Sequence, residues 1–578
     1  MVEPKSEPKP GASFSIEDNV IKASGNDQHA YEFKDCNVGR LILESLSGEP
    51  DHVGLIDAAE DTRTTFAEMR RDSVRCALWM RKMGVGPGDV VTICTNNQVD
   101  DYVPVLATFY VGAIFNPWYY GIELREARRL MQLLRPRLIF AYESTLPTLL
   151  QAANSEHLKT KIILIERHSK LYSLRDILAD QPITDLEIEE FRCLPISDPK
   201  ASSMILLSSG SLGPPKCIEH TAGSAMQYYY ESWLGSARSR NICLWYASLY
   251  WYSGTINFLE WIINGKTRVL HENYDYEETC KVIEKYKVEI LVLPVTLMKD
   301  LLRHDAFKLY EMPSLKCISV GGSYLSQDLL EQLKKLLPNV HVDNFYGTKI
   351  LYTPTAESII KIINHCTVFR ALTGLTEVGS RCNDPASRPT KLGSIGFLKS
   401  NMQMKVIDPK TGETLGPNRI GELCFKSATA MTGYYKDPEA TSRVIDEQGW
   451  LHSGDLGYYD EKGEIVYMDR LTEVMRFRDN EVSPIEIEQA LVAHPEVLEA
   501  CVVPVPHSTD NHHPMAFVKK VPGAKLTEED LVQVSSELGD SKKLRGGVRF
   551  VDEIPKAKAS GKVRRKSLKE MAKAYALL

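Results

Sequence analysis

Residues 204–216, "MILLSSGSLGPPK", place an apolar run directly before a loop of small hydroxyl residues, glycines, prolines and one lysine. The run has the composition of a buried strand, and the glycines and prolines that follow cannot continue it. Glycines let the backbone approach a ligand closely, while hydroxyl groups and a lysine suit a polyphosphate. Lys216 follows Pro214 and Pro215, so the loop is not a Walker loop, in which the lysine follows glycine and opens a helix. Taken alone, the stretch is better explained as a strand-to-loop turn.

The pattern around this stretch predicts an α/β fold. From about residue 60 to 340, short β-branched runs alternate with amphipathic stretches, which favours parallel sheets covered on both faces. The predicted strands include "DVVTIC" (89–94), "RLIFAYE" (137–143), "KIILIE" (161–166) and "VEILVLPVT" (288–296), and the predicted helices include "YEETCKVIEKYK" and "SQDLLEQLKKLL". The last stretch predicts a separate α+β domain with a helix at 484–493, strands at 499–505 and 515–520, a helix at 527–539 and a strand at 548–552.

Length and composition limit the functional classes. A chain of 578 residues exceeds one core, and its net charge of -7 offers no general affinity for nucleic acid or anionic membranes. No run of 18 apolar residues exists, so we expect no membrane-spanning helix. The N-terminal "MVEPKSEPKPGAS" lacks the apolar core of a signal peptide, and we expect residues 1–30 to form a disordered tail.

Cysteine and histidine usage predicts no metal site of the zinc-finger kind. The twelve cysteines contain no C-x-x-C pair, which is typical of reduced, mostly buried thiols in an intracellular protein. The pair His512 and His513 stands in a polar stretch, and we expect both side chains to be solvated.

Six downstream motifs change the interpretation of the loop. In chain order they are "GLTEVG" (374–379), "GELCFK" (421–426), "GYYKDPEAT" (433–441), "GWLHSGDLGYYDEKGEIVYMDR" (449–470), "KKLRGGVRFVDEIPK" (542–556) and "SGKVRRK" (560–566). As an ordered set, from about residue 35 to the end, they resemble the adenylate-forming superfamily of acyl-CoA synthetases, coumarate-CoA ligases and beetle luciferases. The subgroup that the chain resembles is that of insect acyl-CoA synthetases related to firefly luciferase.

The resemblance implies a two-domain architecture. We expect an N-terminal adenylation domain at 31–468, built from parallel-sheet subdomains and a distorted β-barrel, and a small mobile α+β domain at 471–578. Asp469 and Arg470 would form the hinge between them, since a few residues at an element boundary can absorb a domain rotation.

The resemblance also implies a reaction and its co-substrates. A carboxylic acid attacks the α-phosphate of ATP to form an acyl-adenylate and pyrophosphate, and coenzyme A then displaces AMP. Because the first step gathers negative charge, it needs cations and fixed hydrogen-bond donors. By resemblance, the β- and γ-phosphates would be held by Ser208, Ser209, Gly210, Ser211, Gly213 and Lys216.

The remaining site residues follow from the same resemblance. Thr376 would donate to the α-phosphate, Glu377 would bind Mg²⁺, and Lys562 would bridge the acid and the α-phosphate; these three form the catalytic set. The cofactor-binding set would hold Gly321, Gly322 and Ser323 at the adenine and acyl pocket, Tyr346 stacked on adenine, Asp455 on the ribose hydroxyls, and Arg470. Each residue alone is better explained as a surface charge or a local cap, and only the ordered set favours function.

Several positions depart from the family pattern. Leu212 stands where threonine is usual, Cys217 and Asp479 where glycine is usual, and Thr472 where lysine is usual. The loss of a hydroxyl at Leu212 removes one donor, worth about 1–3 kcal/mol to a charged acceptor. Asp479 would face the thiol channel and obstruct the pantetheine arm. The segment "PKAKASGK" is one residue longer than usual before the last lysine.

Residues 348–374 interrupt a signature. "NFYG" ends at Gly347 and "LTEVGS" starts at Leu375, and without the intervening 27 residues the chain reads "NFYGLTEVGS". A functional lid beside the nucleotide is one interpretation; we favour a stretch absent from relatives, such as a translated intron or an isoform feature. If the insert loops out, Tyr346 keeps its place; otherwise Thr373 takes the tyrosine position.

Three functions remain open. The first is ligation of a fatty or other hydrophobic acid to coenzyme A. The second is a luciferase-like monooxygenase, against which Tyr250 and Trp251 argue, since beetle enzymes carry two histidines there. The third is a pseudoenzyme that binds nucleotide without efficient turnover, which Leu212 and Asp479 favour.

Several relatives end in the peroxisomal address Ser-Lys-Leu, whereas this chain ends "AYALL", so we expect a cytosolic protein. The acid and the oligomeric state stay open.

Overall fold

The computed structural model describes most of the chain. The described residues are 14–23, 33–166, 172–179, 184–208, 215–235, 240–321, 327–347, 370–375, 379–380, 382–383, 394–398, 402–471, 473–478, 480–556 and 563–576.

The first half of the chain alternates strands and helices. Its strands are β1 (Phe14–Glu17), β2 (Val20–Ala23), β3 (Val53–Asp57), β4 (Thr62–Thr65), β5 (Val90–Thr95), β6 (Ile114–Tyr119), β7 (Leu138–Ala141), β8 (Lys161–Leu164), β9 (Ser202–Leu207), β10 (Cys217–Thr221), β11 (Ile242–Trp245), β12 (Thr267–Leu270), β13 (Ile290–Pro294), β14 (Cys317–Gly321) and β15 (His341–Gly347). Its α-helices are Gly39–Gly48, Phe66–Lys82, Tyr102–Tyr110, Leu124–Leu134, Leu146–Ser155, Leu174–Ala179, Asp185–Glu189, Ala222–Gly235, Tyr252–Ile263, Tyr276–Tyr286, Val295–Arg303, Ala306–Leu309 and Gln327–Leu336.

The rest of the chain is richer in strands. They are β16 (Arg370–Leu375), β17 (Gly379–Ser380), β18 (Cys382–Asn383), β19 (Ser394–Leu398), β20 (Met402–Ile407), β21 (Thr414–Leu415), β22 (Gly421–Ser427), β23 (Gly433–Tyr434), β24 (Leu451–Tyr459), β25 (Glu464–Arg470), β26 (Met475–Phe477), β27 (Asn480–Val482), β28 (Val497–His507), β29 (Asn511–Lys520) and β30 (Val548–Phe550). The α-helices are Pro438–Ser442, Pro484–Val492, Glu528–Glu537 and Arg565–Ala576.

The strands form four sheets. One has the order β23-β10-β9-β6-β5-β7-β8, and a second has the order β17-β16-β15-β14-β13-β11-β12-β3-β4. Both are parallel except at their edges, where the pairs β9–β10, β10–β23, β3–β4 and β16–β17 are antiparallel. The third is antiparallel, with the order β1-β2-β20-β22-β24-β25-β19-β18 and β21 beside β20, and it is nearly closed like a barrel. The predicted α/β class with parallel sheets and a barrel is confirmed.

Parallel strands are buried on both faces, which explains their continuous apolar runs. In β5, Val91 and Ile93 pack into one core, while Val90 and Cys94 pack into another on the opposite face. The first core also contains Trp245 of β11, so the two parallel sheets share it. Helix Tyr252–Ile263 lies in this shared layer and is buried at nearly every position, as expected for a helix without a polar face.

The N-terminal stretch differs from the predicted tail. Within residues 1–30, Phe14–Glu17 and Val20–Ala23 form a hairpin, and β2 pairs with β20 at the edge of the barrel sheet. The prediction of a disordered tail is therefore wrong for residues 14–23. The reason is tertiary, because a hairpin of two four-residue strands is marginal alone and is stabilised by pairing with β20, where Ile21 is also buried.

The sequence left open whether the insert loops out, and the structure decides this for its last residues, Arg370–Gly374. Its last residues belong to β16 (Arg370–Leu375), which pairs in parallel with β15. Tyr346 is the register partner of Thr373, so both occupy neighbouring strands and neither replaces the other. The strand was not predicted because a strand edge accepts any extended segment whose backbone groups can pair with it, whatever the local pattern.

The C-terminal domain has the predicted order of elements. Its sheet runs β27-β26-β29-β28, with β30 beside β29, and strand β25 of the barrel ends at the predicted hinge residue Arg470. Across the residues described, no helix is both long and apolar enough to cross a membrane.

A buried polar contact joins the two parallel sheets. Arg268 of β12 donates to the side-chain oxygen of Asn97, which follows β5, at 3.0 Å, and its guanidinium lies 4.1 Å above the Trp245 ring. Asp101 is buried beside this group and accepts a hydrogen bond from the Gln98 backbone at 2.8 Å. Burial raises the pKa of the Asp101 carboxyl to about 7, although Gln98, Thr95 and Arg268 oppose the shift.

We predict that Asp101→Asn changes how stability depends on pH. An unfolded aspartate titrates near about pH 3.9, so the folded state binds this proton more tightly. Tighter proton binding by Asp101 stabilises the folded state. This contribution is complete below about pH 4 and is lost as pH rises through the folded pKa of about 7. The free energy of unfolding of the variant, relative to wild type, should rise by up to about 1.4 kcal/mol per pH unit in that window, measured by denaturant unfolding. A constant difference across the window would contradict the prediction.

Candidate active site

The opening loop connects two antiparallel strands. Ser202–Leu207 and Cys217–Thr221 pair with Leu207 opposite Cys217, so residues 208–216 form the connection of a hairpin. Ser208 and Lys216 close its base: the Ser208 backbone N–H donates to the Lys216 carbonyl at 2.9 Å, and the Lys216 N–H donates to Ser208 Oγ at 2.8 Å. Because a strand follows Lys216, the loop is not of the Walker type, as expected.

Positive charge collects beside this base. The Lys216 amine lies 4.3 Å from the centre of the Tyr434 ring, within the range of a cation–π contact. Arg129 donates to the Pro215 carbonyl at 2.6 Å and pairs with Glu126 at 2.7 Å. Both cations line one surface cavity of about 260 Å³ together with Lys436.

Three predicted motifs meet at one edge of the nine-stranded sheet. The strands β14, β15 and β16 are parallel neighbours that end at Gly321, Gly347 and Leu375. Gly321 is the register partner of Phe345, which places it beside the strand segment that carries Tyr346. Ligands of open α/β sheets bind outside the carboxyl ends of the strands, so this edge is a candidate binding site.

The barrel sheet brings Asp455 and Arg470 together. They are register partners on β24 and β25, and Arg470 Nε lies 2.7 Å from Asp455 Oδ1. Asp455 is buried, whereas the Arg470 side chain is 41% exposed. The neighbouring Asp469 accepts from the Arg470 N–H at 2.7 Å and from the Ser483 hydroxyl of the C-terminal domain. The acid predicted for the ribose is therefore coupled directly to the predicted hinge.

Glu422 and His452 form a clamp that the sequence analysis missed. Glu422 Oε1 accepts from the Gly454 N–H at 2.9 Å, and Glu422 Oε2 lies 3.0 Å from His452 Nδ1. Ser453 Oγ accepts from the Asp455 N–H at 3.0 Å and donates to the Leu423 carbonyl at 2.6 Å. These contacts fix the turn at Gly454, whose φ is +67°. The signal was present in "GELCFK" and "GWLHSGD", but only strand pairing places the two motifs side by side.

The other predicted site residues lie outside the described part of the chain. They are Ser209, Gly210, Ser211, Gly213, Gly322, Ser323, Thr376, Glu377 and Lys562. The same holds for the departures Leu212, Thr472 and Asp479, while Tyr346 is described by its backbone alone.

Comparison with known proteins decides the family. The model for the AMP-binding enzyme matches residues 43–349 and 352–435, and that for the AMP-binding enzyme C-terminal domain matches residues 486–562. The first match alone spans more than half of the chain. The chain belongs to the AMP-binding enzyme family. This AMP-binding enzyme is therefore an adenylate-forming enzyme, and its last part matches the C-terminal domain of that family.

Two activities occur among the curated relatives that this AMP-binding enzyme matches. It is 28% identical over 549 residues to the luciferin 4-monooxygenase of Photuris pensylvanica, covering 93% of this chain and 95% of that protein. It is 29% identical over 540 residues to a probable CoA ligase of Humulus lupulus, covering 92% of both chains. A similar solved structure is the luciferase-like enzyme of the nonluminescent mealworm Zophobas morio, with 26% identity, a TM-score of 0.66, and coverage of 77% of this chain and 98% of that one.

We predict that the Glu422 clamp supports nucleotide binding. Glu422→Ala leaves the partly buried Gly454 N–H without its acceptor and frees the turn that carries Asp455. We expect ATP binding to weaken about tenfold, as for a lost hydrogen bond of about 1.4 kcal/mol, measured by calorimetry. Glu413→Ala, on an exposed turn, is the control and should bind ATP like wild type. Equal affinity in the two variants would contradict the role of the clamp.

We predict that removal of residues 348–374 preserves or raises ATP affinity and adenylation rate. The deletion removes all of β16 except Leu375, but it joins Gly347 to Leu375, so Thr376 and Glu377 then follow directly on the strand that holds Tyr346. Nucleotide affinity and pyrophosphate exchange of the shortened chain measure the effect. A deletion variant that folds but binds ATP more weakly than the full chain would show that the insert is a working part of the site.

Proposed function

We propose that this enzyme adenylates a hydrophobic, fatty-type carboxylic acid with ATP, releases pyrophosphate and transfers the acyl group to coenzyme A. The observation that carries the proposal is the shared carboxyl edge of β14, β15 and β16, at which Gly321, the Tyr346 segment and Leu375 converge. In a family that forms adenylates, such an edge suits a nucleotide joined to an acid.

Charged residues and hydrogen-bond donors would contact different groups of ATP and the acid in the first step. Hydroxyl and backbone donors of the loop, together with Lys216, would hold the β- and γ-phosphates; the loop residues in question are Ser208, Ser209, Gly210, Ser211 and Gly213. Its hairpin base, closed by two hydrogen bonds, supports this role by holding the loop ends together. Thr376 would donate to the α-phosphate, and Lys562 would offset the charge that develops between acid and phosphate.

The nucleoside would be held by the sheet edge and by the barrel. Gly321, Gly322 and Ser323 would line the adenine and acyl pocket, and Tyr346 would stack on adenine. The Asp455 carboxylate would accept from the ribose hydroxyls while Arg470 holds one of its oxygens. The Glu377 carboxylate belongs to the donor class that Mg²⁺ takes, and bound Mg²⁺ would offset the charge of the triphosphate.

Aromatic packing beside the loop supports an apolar acid. Tyr250 is buried in the same core as Leu207 and Cys217, the two residues that flank the loop hairpin. The Tyr250 and Trp251 rings meet edge to face at 4.8 Å, and Tyr119 lies 5.7 Å from Tyr250. Such a wall offers apolar area rather than the two imidazoles that beetle luciferases carry at this place. It therefore favours the ligase over the luciferase-like alternative.

Pyrophosphate exchange with a panel of acids of increasing chain length tests the proposal. We expect exchange with a hydrophobic acid and acyl-CoA formation when coenzyme A is added. Lys562→Ala should lower exchange about 10²–10³-fold with an unchanged melting temperature, because it removes a cation from a site of developing charge. Lys566→Ala, on an exposed position of helix Arg565–Ala576, is the matched control.

The alternatives give different results in the same assays. ATP binding without exchange for any acid would identify the pseudoenzyme, and light emission with luciferin would identify the monooxygenase. Exchange in Lys562→Ala equal to that of the Lys566→Ala control would overturn the role assigned to Lys562.

A further inference from the structure

The turn between β28 and β29 gathers two imidazoles and a carboxylate. His507 ends β28, His513 lies on β29, and Asp510 belongs to the turn between them. The antiparallel register pairs His507 with Asn511 and Val505 with His513, which puts these side chains on one face of the hairpin. His512 pairs with Pro506 and belongs to the opposite face.

The three side chains face one another closely. Asp510 Oδ2 lies 2.9 Å from His513 Nε2 and 3.6 Å from His507 Nδ1. The two imidazole rings are stacked, with centres 3.9 Å apart and planes 21° from parallel. The expectation that His513 is simply solvated is therefore wrong, because its side chain is 16% exposed and bonded to Asp510.

The donor spacing suits a tetrahedral metal ion. One ligand atom from each residue lies within 4.8 Å of the others. Zinc bonds to nitrogen and oxygen of about 2.0–2.1 Å put neighbouring ligand atoms about 3.3 Å apart in a tetrahedral site. The two observed distances to Asp510 Oδ2 lie on either side of that value. Because the rings are stacked, their in-plane lone pairs are nearly parallel, so the His507 ring must turn out of the stack, and away from the Thr509 hydroxyl and Asp510 N–H that its Nδ1 contacts at 3.2 Å, before both rings can share one ion.

The second oxygen of the Asp510 carboxylate, Oδ1, is held by Arg478. Arg478 Nε donates to Asp510 Oδ1 at 2.8 Å, and the Arg478 backbone N–H donates to the Asp510 carbonyl at 2.9 Å. Oδ2 is thereby left directed at the imidazoles, an arrangement in which an outer partner orients a ligand. The His507 side chain is 39% exposed, which gives an ion access from solvent and gives the ring freedom to turn.

We propose that His507, Asp510 and His513 bind one transition-metal ion of the Zn²⁺ class, with a fourth position open to water. Two imidazoles and one carboxylate are donors that zinc and its neighbours take readily, unlike Mg²⁺ or Ca²⁺, which prefer oxygen alone. The site belongs to the C-terminal sheet and does not depend on the proposed ligase activity.

A second described cluster, Glu422, Cys424 and His452, has comparable spacing. Its carboxylate already holds Gly454 and His452, and its thiol is fully buried. Burial, together with Glu422, raises the pKa of the Cys424 thiol, which opposes formation of the thiolate that a metal requires. This contrast favours the hairpin as the metal site.

Titration of the full chain with Co²⁺ and Zn²⁺ tests the proposal. Calorimetry with Zn²⁺ and visible absorption with Co²⁺ should both show one tight equivalent. We expect His507→Ala and His513→Gln each to weaken binding at least tenfold, with an unchanged melting temperature. His512→Ala is the matched control, since its ring lies on the other face, and it should bind like wild type.

Four results would overturn the assignment. They are the absence of a tight Zn²⁺ equivalent, full binding by the His507→Ala, His513→Gln double variant, an equal loss in His512→Ala, and a thiolate-to-cobalt charge-transfer band. The last would place the ion at a cysteine, for which the cluster of Glu422, Cys424 and His452 is the described candidate. His507→Gln serves as a second variant if alanine at this exposed position disturbs the turn.

Discussion

Two parallel sheets share one apolar layer, and the positions of the site residues follow from that packing. Residues of β5 and of β11 belong to the same core, and helix Tyr252–Ile263 fills the space between them. Because parallel strands must be covered on both faces, neither sheet can shift without exposing a continuous apolar surface. Arg268 and Asn97 add one polar contact across the layer, where few alternative partners are available. The carboxyl edges of both sheets are fixed as a consequence.

The candidate site residues lie at strand ends and turns, which the apolar layer shared by the two parallel sheets holds in place. The loop at residues 208–216 leaves the end of β9, and Gly321 and Tyr346 lie at or near the ends of parallel strands. The barrel sheet supplies the remaining acid, since Asp455 is held between Arg470 on one side and the Glu422 clamp on the other. The same Arg470 ends the last barrel strand before the C-terminal domain. The candidate ribose acid and the last residue of the barrel sheet are therefore one structural unit.

Predictions from the sequence succeeded where local pattern and tertiary role agree. The runs that became β5, β7, β8 and β13 were recognised because a buried parallel strand is apolar throughout. Two failures share one cause. The hairpin Phe14–Ala23 and the strand Arg370–Leu375 are short and gain stability from the edge of an existing sheet, and their own sequences do not show that edge. The Glu422 clamp was missed for a similar reason, because its members are thirty residues apart and meet only through the pairing of β22 with β24.

The sequence by itself determined the family, the α/β class and the order of the domains, because six motifs in register and a strand–helix alternation are properties of the linear chain. Only the tertiary structure decided which side chains meet. Arg470 on Asp455, Tyr346 beside Thr373 and His507 over His513 are all consequences of strand register. Register is set by cooperative backbone pairing and by the core beneath it, since a shift of one residue would turn every side chain to the other face. The residues that flank a position in the chain do not show which register its strand adopts.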